Sequence, residues 1–285
     1  MAIYHLNNCL LSINPHFFKS PFLKPYMANY DVLGNIAVIK FPRKTKAKEK
    51  KIFASKFLRK NKSVSTILEK TGKFSGRLRT LKTSWIAGEK TKEVLYKENG
   101  CIFRFNVDSC YFSPRLSSER LEIAKQVKKN ESILVMFGGV APFAIVIAKH
   151  SKAKRVVSVE LSRACFSYAL QNVRRNKLQD RVEILQGDVK RIIPKLKQKF
   201  DRIVMTRPNL KDSFLQTAFK ASKKGTIIHY YCFYDEIEAL AKTPEQLIEQ
   251  EAKKAKKKIR ILKIKKAGDI GKNKFRYRVD LKLLN

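Results

Sequence analysis

Acidic residues are scarce in this chain. Its 285 residues hold 24 Asp and Glu against 62 Lys and Arg, a formal net charge of +38 with a pI near 10.2. Self-repulsion of that size opposes compaction, so the excess points to a polyanionic partner rather than to the fold. Nucleic acid is the first such partner and an anionic membrane surface the second. Histidine is also rare, with four residues, none paired with another at metal-ligand spacing. The five cysteines, Cys9, Cys101, Cys110, Cys165 and Cys232, are odd in number and far apart, with no C-x-x-C. That excludes a zinc module and a disulfide framework and suits a reduced, cytosolic protein. The longest apolar stretch, Ile133 to Ala148, contains two glycines and a proline and is too short to span a bilayer. The N-terminus has no basic segment leading into an apolar run with a cleavage site, and the chain has no internal repeat.

The most informative stretch is Glu131 to His150. A short apolar run, Ser132-Ile-Leu-Val-Met136, reaches Phe137-Gly-Gly139 and is followed by a helix-like run from Pro142. A second strand, Arg155-Val-Val-Ser-Val159, ends at Glu160. Strand, glycine turn, helix, strand and acid form the frame that holds a nucleotide-like cofactor. Glycines let the backbone approach, and the carboxylate accepts the ribose hydroxyls. The turn lacks the G-x-G-x-x-G spacing of a dinucleotide site, so S-adenosylmethionine, with a ribose and no phosphate, is the better fit. In this reading Phe137, Gly138, Gly139, Val140 and Pro142 make the turn under the methionine end. Glu160, with Leu161 beside it, holds the ribose. Gly187, Asp188 and Val189, after a third strand, meet the adenine, with Asp188 accepting from its amino group.

Three parts follow along the chain. Residues 1–28 are irregular and aromatic and form an arm. Residues 29–110 form a small α+β domain that contacts RNA, with a strand pair around Gly34-Asn35, a basic amphipathic helix from Arg43 to Lys62, a strand over 63–68, and two strands, 85–97 and 101–107, joined at Glu98-Asn-Gly100. In that helix ten of twenty residues are Lys or Arg, and Ile52, Phe53, Phe57 and Leu58 share one face. Residues 111–285 form an α/β, Rossmann-like sheet. Its strands are expected at 132–136, 155–159, 182–186, 202–206, 225–232, 259–265 and 275–284, with helices at 117–128, 142–150, 163–176, 188–197, 210–221 and 243–257. The strict alternation of Phe275-Arg-Tyr-Arg-Val-Asp-Leu suits an antiparallel strand at the sheet edge. A second basic run, Lys253 to Lys266, has nine basic and no acidic residues. RNA contact is expected from both runs and from Arg77, Arg79, Arg104, Arg115 and Arg207, with Tyr111, Phe112 and Tyr230 as candidate stacking surfaces.

Several segments in order resemble the archaeal and eukaryotic tRNA (guanine-37, N1)-methyltransferase family. They include Tyr30-Asp-Val-Leu-Gly-Asn-Ile-Ala-Val-Ile, Glu98-Asn-Gly-Cys-Ile-Phe-Arg-Phe and Tyr111-Phe-Ser-Pro-Arg-Leu-Ser-Ser-Glu-Arg120. Met136-Phe-Gly-Gly-Val-Ala-Pro, Asn172-Val-Arg-Arg-Asn-Lys-Leu, Gly187-Asp-Val-Lys and His229-Tyr-Tyr continue the series. The resemblance runs from about residue 29 to the end and leaves the family's N-terminal tRNA-elbow domain absent or reduced to residues 1–28. It implies a class I, S-adenosylmethionine-dependent methyltransferase acting as a monomer on the anticodon loop of tRNA, with no metal and no membrane. It also implies roles for three residues. Glu119 takes the ring proton of guanine, Arg79 stabilises the charge developing on the carbonyl oxygen, and Thr206 stands where an asparagine orients the base. Guanine N1 has no lone pair to attack with until its proton is removed, which is why such a site needs both an acceptor and a cation. This chain departs from the family pattern at Val135, where an aspartate is usual, and at Thr206-Arg207, in place of Asn-Leu or Asn-Pro. A related reading is an aminocarboxypropyl-transferring enzyme of wyosine synthesis. A third is a weakened, tRNA-binding paralogue.

Overall fold

A computed structural model describes residues 30–206, 212–235, 243–271 and 274–285. The expected arm over 1–28 and Arg207 lie outside the described residues. Contacts divide the chain into two units. Among the described residues, one holds those from Tyr30 to Lys73 together with Lys82–Thr91, the other Phe74–Leu81 together with those from Lys92 to Asn285.

In the first unit β1 (Tyr30–Leu33) and β2 (Ile36–Ile39) pair antiparallel, with Leu33 opposite Ile36. Gly34 supplies the left-handed φ of +58° that the two-residue turn requires. Helix α1 (Ala47–Lys60) then crosses to β3 (Thr66–Lys70), which runs parallel to β2. On α1 Lys48, Lys51, Lys56 and Lys60 face water and Lys50 pairs with Glu69, while Phe53, Ala54 and Phe57 pack on Ala37, Ile39, Phe41 and Ile67. Strand β4 (Thr83–Gly88) completes the order β1-β2-β3-β4. The sequence suggests one strand over 85–97, but it is cut at Gly88. That residue has φ +82°, and a Cβ there would overlap the Ser65 carbonyl oxygen.

The second unit begins its regular structure with the hairpin β5 (Glu93–Glu98) and β6 (Cys101–Asn106), turning at Asn99 and Gly100 as the Asn-Gly pair predicts. The sequence places this hairpin in the small domain, with a boundary near residue 110. Contacts instead place the division between Thr91 and Lys92. The cause is a pair of side-chain amides on α4 (Arg163–Arg175) and just beyond it. Asn172 bonds Arg104 N and O, and Asn176 bonds Ile102 N and O, so the amides dock on the backbone of β6 like an added strand edge.

A seven-stranded sheet follows. Strands β7 (Ser132–Met136), β8 (Arg155–Glu160), β9 (Val182–Gln186), β10 (Phe200–Met205) and β11 (Ser222–Asp235) are mutually parallel where they pair. Strand β13 (Lys274–Leu283) is antiparallel as its alternation predicts, but it lies between β11 and β12 (Ile259–Gly271) and not at the edge, because β12 pairs along its other side, giving the order β12-β13-β11-β10-β7-β8-β9. Helices α2 (Ser117–Gln126), α3 (Pro142–His150), α4 and α7 (Pro244–Lys254) agree with expectation to within three residues. The expected helix 188–197 is shorter: α5 (Val189–Ile192) tightens into a 3-10 turn, Ile193–Leu196, because Pro194 has no N–H to continue the ladder. Helix α6 (Leu215–Lys220) starts later than the expected 210. The sheet is the doubly wound α/β arrangement read from the sequence, with β7 at the point where strand order reverses. No helix among the described residues is long and apolar enough to cross a membrane.

Candidate active site

The turn after β7 is built on alternate left-handed residues: Phe137 at φ +63°, Gly139 at +57° and Ala141 at +67°. Glu160 holds it. Its Oε2 accepts from Gly139 N at 2.8 Å and its Oε1 from Ser162 N at 2.7 Å. The acid at the end of β8 therefore orders the glycine turn as well as facing the cavity. Gly138 is required for a different reason from the one its motif suggests. An added Cβ would overlap Ser158 Oγ on β8, behind the turn, rather than enter the cofactor space.

Beside this turn an open cavity of about 800 Å³, including its mouth, is lined by Arg77, Leu78, Arg79, Tyr111, Phe137, Gly138, Gly139, Pro142, Glu160, Leu161 and Thr206, among others. Nine of the site residues proposed from sequence thus meet at one place, at the carboxyl ends of β7, β8 and β10. Thr206 donates through Oγ1 to the carbonyl of Phe137 at 2.9 Å, so its hydroxyl proton secures the turn. Arg79 sits at φ +54° with its guanidinium 3.8 Å from the centre of the Tyr111 ring. Its loop, Phe74–Leu81, is sequentially part of the small domain but belongs to the second unit. The bond from Leu81 N to Asp108 O and the packing of Phe74 on Tyr111 tie it there.

Other expected residues lie elsewhere. Val140 is fully buried under α3, and Val189 belongs to the sheet core. Neither they nor Gly187 and Asp188 line the cavity. Asp188 caps α5 by accepting from Lys190 N and pairs with Arg77 at 2.5 Å. Burial pushes its carboxyl up, but the Arg77 bond and the Lys190 N–H outweigh burial and hold it below the ordinary range. Arg115 is exposed on the 3-10 turn Pro114–Leu116 and stands outside the cavity lining.

Glu119 is also outside the lining, and it is buried at 3 % exposure. Its Oε1 accepts from Lys265 at 2.7 Å, and its Oε2 from Arg278 at 2.5 Å and Tyr231 at 2.9 Å. Arg278 continues to Asp280, Asp280 to His229 Nδ1 at 2.6 Å, and His229 Nε2 to Arg202 at 2.7 Å. Arg202 ends on Glu131. A guanidinium has only donors, so His229 Nε2 accepts and the ring proton sits on Nδ1. Burial holds this imidazole below its usual range and so neutral, against the opposing Asp280 charge. Burial and the nearby Glu119 charge push the Tyr231 hydroxyl well up.

Sequence reasoning missed Arg120, which lines the cavity while almost fully buried. It is fixed by a bidentate pair with Glu98 at 2.5 and 2.6 Å and by Ser113 O. Its neighbour Glu119 drew the attention, although the pairing with Glu98 leaves no short-range sequence signal. Cys165, Leu78 and Phe143 are further unpredicted wall residues.

Comparison with known proteins places the chain in a family. Residues 94–262 match the TRM5/TYW2 methyltransferase domain, and residues 20–91 match the TYW2 N-terminal domain. The chain is 36% identical over 205 residues to tRNA (guanine(37)-N(1))-methyltransferase Trm5b of Pyrococcus abyssi, covering 72% of this chain and 60% of that relative. The solved structure of that protein superposes with a TM-score of 0.81 over 92% of this chain and 77% of the other, at 30% identity. A Nanoarchaeum equitans protein, tRNA (guanine(37)-N(1))/4-demethylwyosine(37)-methyltransferase Taw22, is 32% identical over 90% of this chain and 100% of its own length. A Methanocaldococcus jannaschii protein named tRNA(Phe) (4-demethylwyosine(37)-C(7)) aminocarboxypropyltransferase is 29% identical over 71% of this chain and 77% of its own. With the sheet order, the glycine turn and its acid, these matches establish that the chain belongs to the TRM5/TYW2 methyltransferase family.

Proposed function

We propose that this chain methylates ring N1 of the guanosine 3′ of the anticodon in tRNA, using S-adenosylmethionine. The observation that carries the reading is the meeting of Arg79 with the Phe137–Gly139 turn, Glu160 and Thr206 in one cavity. The cavity's donor set fits the cofactor: backbone of a glycine turn, one carboxylate, and apolar walls at Leu161, Phe137 and Pro142. Bound, S-adenosylmethionine supplies an activated methyl group on sulfonium. The residues of this chain do the rest. Glu160 and the turn hold the ribose end, and Thr206 fixes the turn against β10. Arg79, stacked on Tyr111, places a cation where the guanine carbonyl oxygen gains charge as N1 loses its proton. Glu119 is proposed as the acceptor of that proton. Arg278 and Tyr231 both hold its Oε2, so Lys265 must release Oε1 before it can act. The excess of basic side chains supplies the phosphate contacts.

Transfer of the aminocarboxypropyl group is the second reading, favoured by the match of residues 20–91 to the TYW2 N-terminal domain. One experiment separates them. Unmodified tRNA and, in parallel, tRNA carrying 4-demethylwyosine at position 37 are incubated with cofactor labelled either in the methyl group or in the aminobutyrate carbons, then digested, and the modified nucleoside is identified by mass. Methyl label on guanosine N1 is expected, aminobutyrate label would select the second reading, and absence of either would sink both. Glu119→Gln should lower the single-turnover methylation rate about 10²–10⁴-fold. A variant as fast as the parent returns Glu119 to a purely structural role.

A further inference from the structure

Two of the cysteines meet at the wall of the cavity. Cys110 lies in the connection between β6 and α2, and Cys165 is the third residue of α4, whose N-cap is Ser162. Their thiols hydrogen-bond one another. Both also touch Ser109: Cys165 Sγ faces its carbonyl at 3.6 Å, and its hydroxyl donates to Cys110 Sγ at 3.8 Å. Bulk water scarcely reaches either sulfur, at 2 % and 4 % residue exposure. Cys165 nevertheless forms part of the cavity wall beside Glu160 and Leu161, so a small reagent entering the cavity reaches it.

The two sulfurs are not equivalent. The hydrogen bond from Cys110 holds the Cys165 thiol below its ordinary range, and the Ser162 hydroxyl adds to this against the opposing effect of burial. The same bond, with burial, pushes the Cys110 thiol far up. The first turn of a thirteen-residue helix further favours negative charge at Cys165. Cys101 and Cys232 show the contrast, since burial pushes their thiols up to about 11 and about 12.

We propose that Cys165 and Cys110 form a reversible oxidation site, attacking thiolate and resolving partner, for peroxide-class oxidants that enter the cavity. The Cys165 thiolate attacks one peroxide oxygen, the O–O bond breaks, and the departing hydroxide takes a proton and leaves as water. The Cys110 sulfur then attacks the Cys165 sulfenic sulfur. The S–S bond forms, the S–O bond breaks, and the oxygen leaves as a second water with the proton from Cys110. Two thiols and one peroxide give one disulfide and two waters, the two electrons passing from sulfur to oxygen. A disulfide needs the sulfurs at about 2.05 Å, closer than a hydrogen bond allows, so the bridge draws Cys165 out of the wall beside Glu160. Its effect on cofactor binding rests on the reading under Proposed function; the bridge itself does not.

The test treats the full chain with hydrogen peroxide and maps peptides without reduction. The expected product is a peptide pair joined at Cys110 and Cys165, released by dithiothreitol. Cys110→Ala should stop at a Cys165 sulfenic acid captured by dimedone, and Cys165→Ala should leave Cys110 as a thiol. Joining elsewhere, or Cys101 or Cys232 oxidising first, would overturn the site. Calorimetry with S-adenosylmethionine follows, on reduced and oxidised protein. Oxidation should weaken binding about tenfold or more. Equal affinity in both forms would overturn the coupling to the cavity. A reduced protein that binds no cofactor would refute the cofactor reading and leave the mapped disulfide standing.

Discussion

The interiors of the two halves of the seven-stranded sheet are held in different ways. On the β7–β8 side the interior is Ile133, Leu134, Val135, Met136, Val156, Val157 and Val159, and Ser158 is the buried polar exception. On the β10–β13 side Arg202, His229, Arg276, Arg278 and Asp280 are buried, with Glu119 from α2 against them. Apolar burial is proportional to area and indifferent to partner, so it sets where a strand lies more firmly than its exact mate. A buried ion is intolerable without its counter-ion. The pairs of Arg278 with Glu119 and Glu122 therefore fix which residues of α2 stand over β13, and the links onward to Glu131 fix the register of β13, β11 and β10. The half with the cofactor turn is specified by backbone shape, and the other half by charge matching.

The largest expected effect breaks the charged side. Arg278→Leu removes the shared buried partner of Glu119, Glu122 and Asp280 and should cost about 3–5 kcal/mol in urea unfolding. A loss under about 1 kcal/mol would mean that the ions are not what holds this half. Next comes the reverse experiment on the apolar side. Val135→Asp restores the carboxylate usual in the family but buries it between β8 and β10, where Ser158 and Val204 are its neighbours in register. It should cost about 2–4 kcal/mol without improving cofactor affinity. A stable variant with tighter binding would show that the strand end opens to the cavity.

A smaller effect sharpens the shape argument. Gly138→Ala should cost about 1–3 kcal/mol through its overlap with Ser158 Oγ, and adding Ser158→Ala should recover most of that loss. Ser158 Oγ is buried without a hydrogen-bond partner among the described residues, so Ser158→Ala alone should be close to neutral. Failure of the double variant to recover would place the strain in the backbone of the turn.

The smallest effect concerns pH. His229 is depressed in the folded state, so below about pH 6.5 the unfolded chain takes a proton that the folded one refuses. The stability this provides is complete above that pH and is lost as pH falls toward the folded value, by at most about 1.4 kcal/mol per pH unit. Asp280 acts in the same direction in a lower window, below its ordinary 3.8. Unfolding free energy should therefore decline by about 1–2 kcal/mol from pH 7 to pH 5, and His229→Gln should flatten that interval. An unchanged slope would move the titration to another group.

The sequence by itself determined the frame. Short, continuous apolar runs such as Ser132–Met136 and Arg155–Val159 are legible as parallel strands because both faces are covered. Asn99-Gly100 and Gly34-Asn35 are legible as turns because few residues tolerate a positive φ. The cofactor turn with Glu160 is legible because its parts are local. Tertiary structure decided what depends on distant partners. Strand β13 alternates Arg276, Arg278, Asp280 with Tyr277, Val279, Leu281, which reads as one wet face and one dry face. The charged face is instead buried, and for Arg278 and Asp280 that is because α2 and β11 bring Glu119, Glu122 and His229 to meet it. The use of Glu119 follows from the same cause. A first-turn glutamate reads as a solvent-facing group, and only the approach of β11, β12 and β13 from more than a hundred residues away makes it a buried anchor. Likewise the Phe74–Leu81 loop carries no local sign that it joins the second unit, since that is decided by Tyr111, Asp108 and Asp188. Local backbone preference and periodicity are written in neighbouring residues, whereas the pairing of buried charges is a property of the whole chain once it has closed on itself.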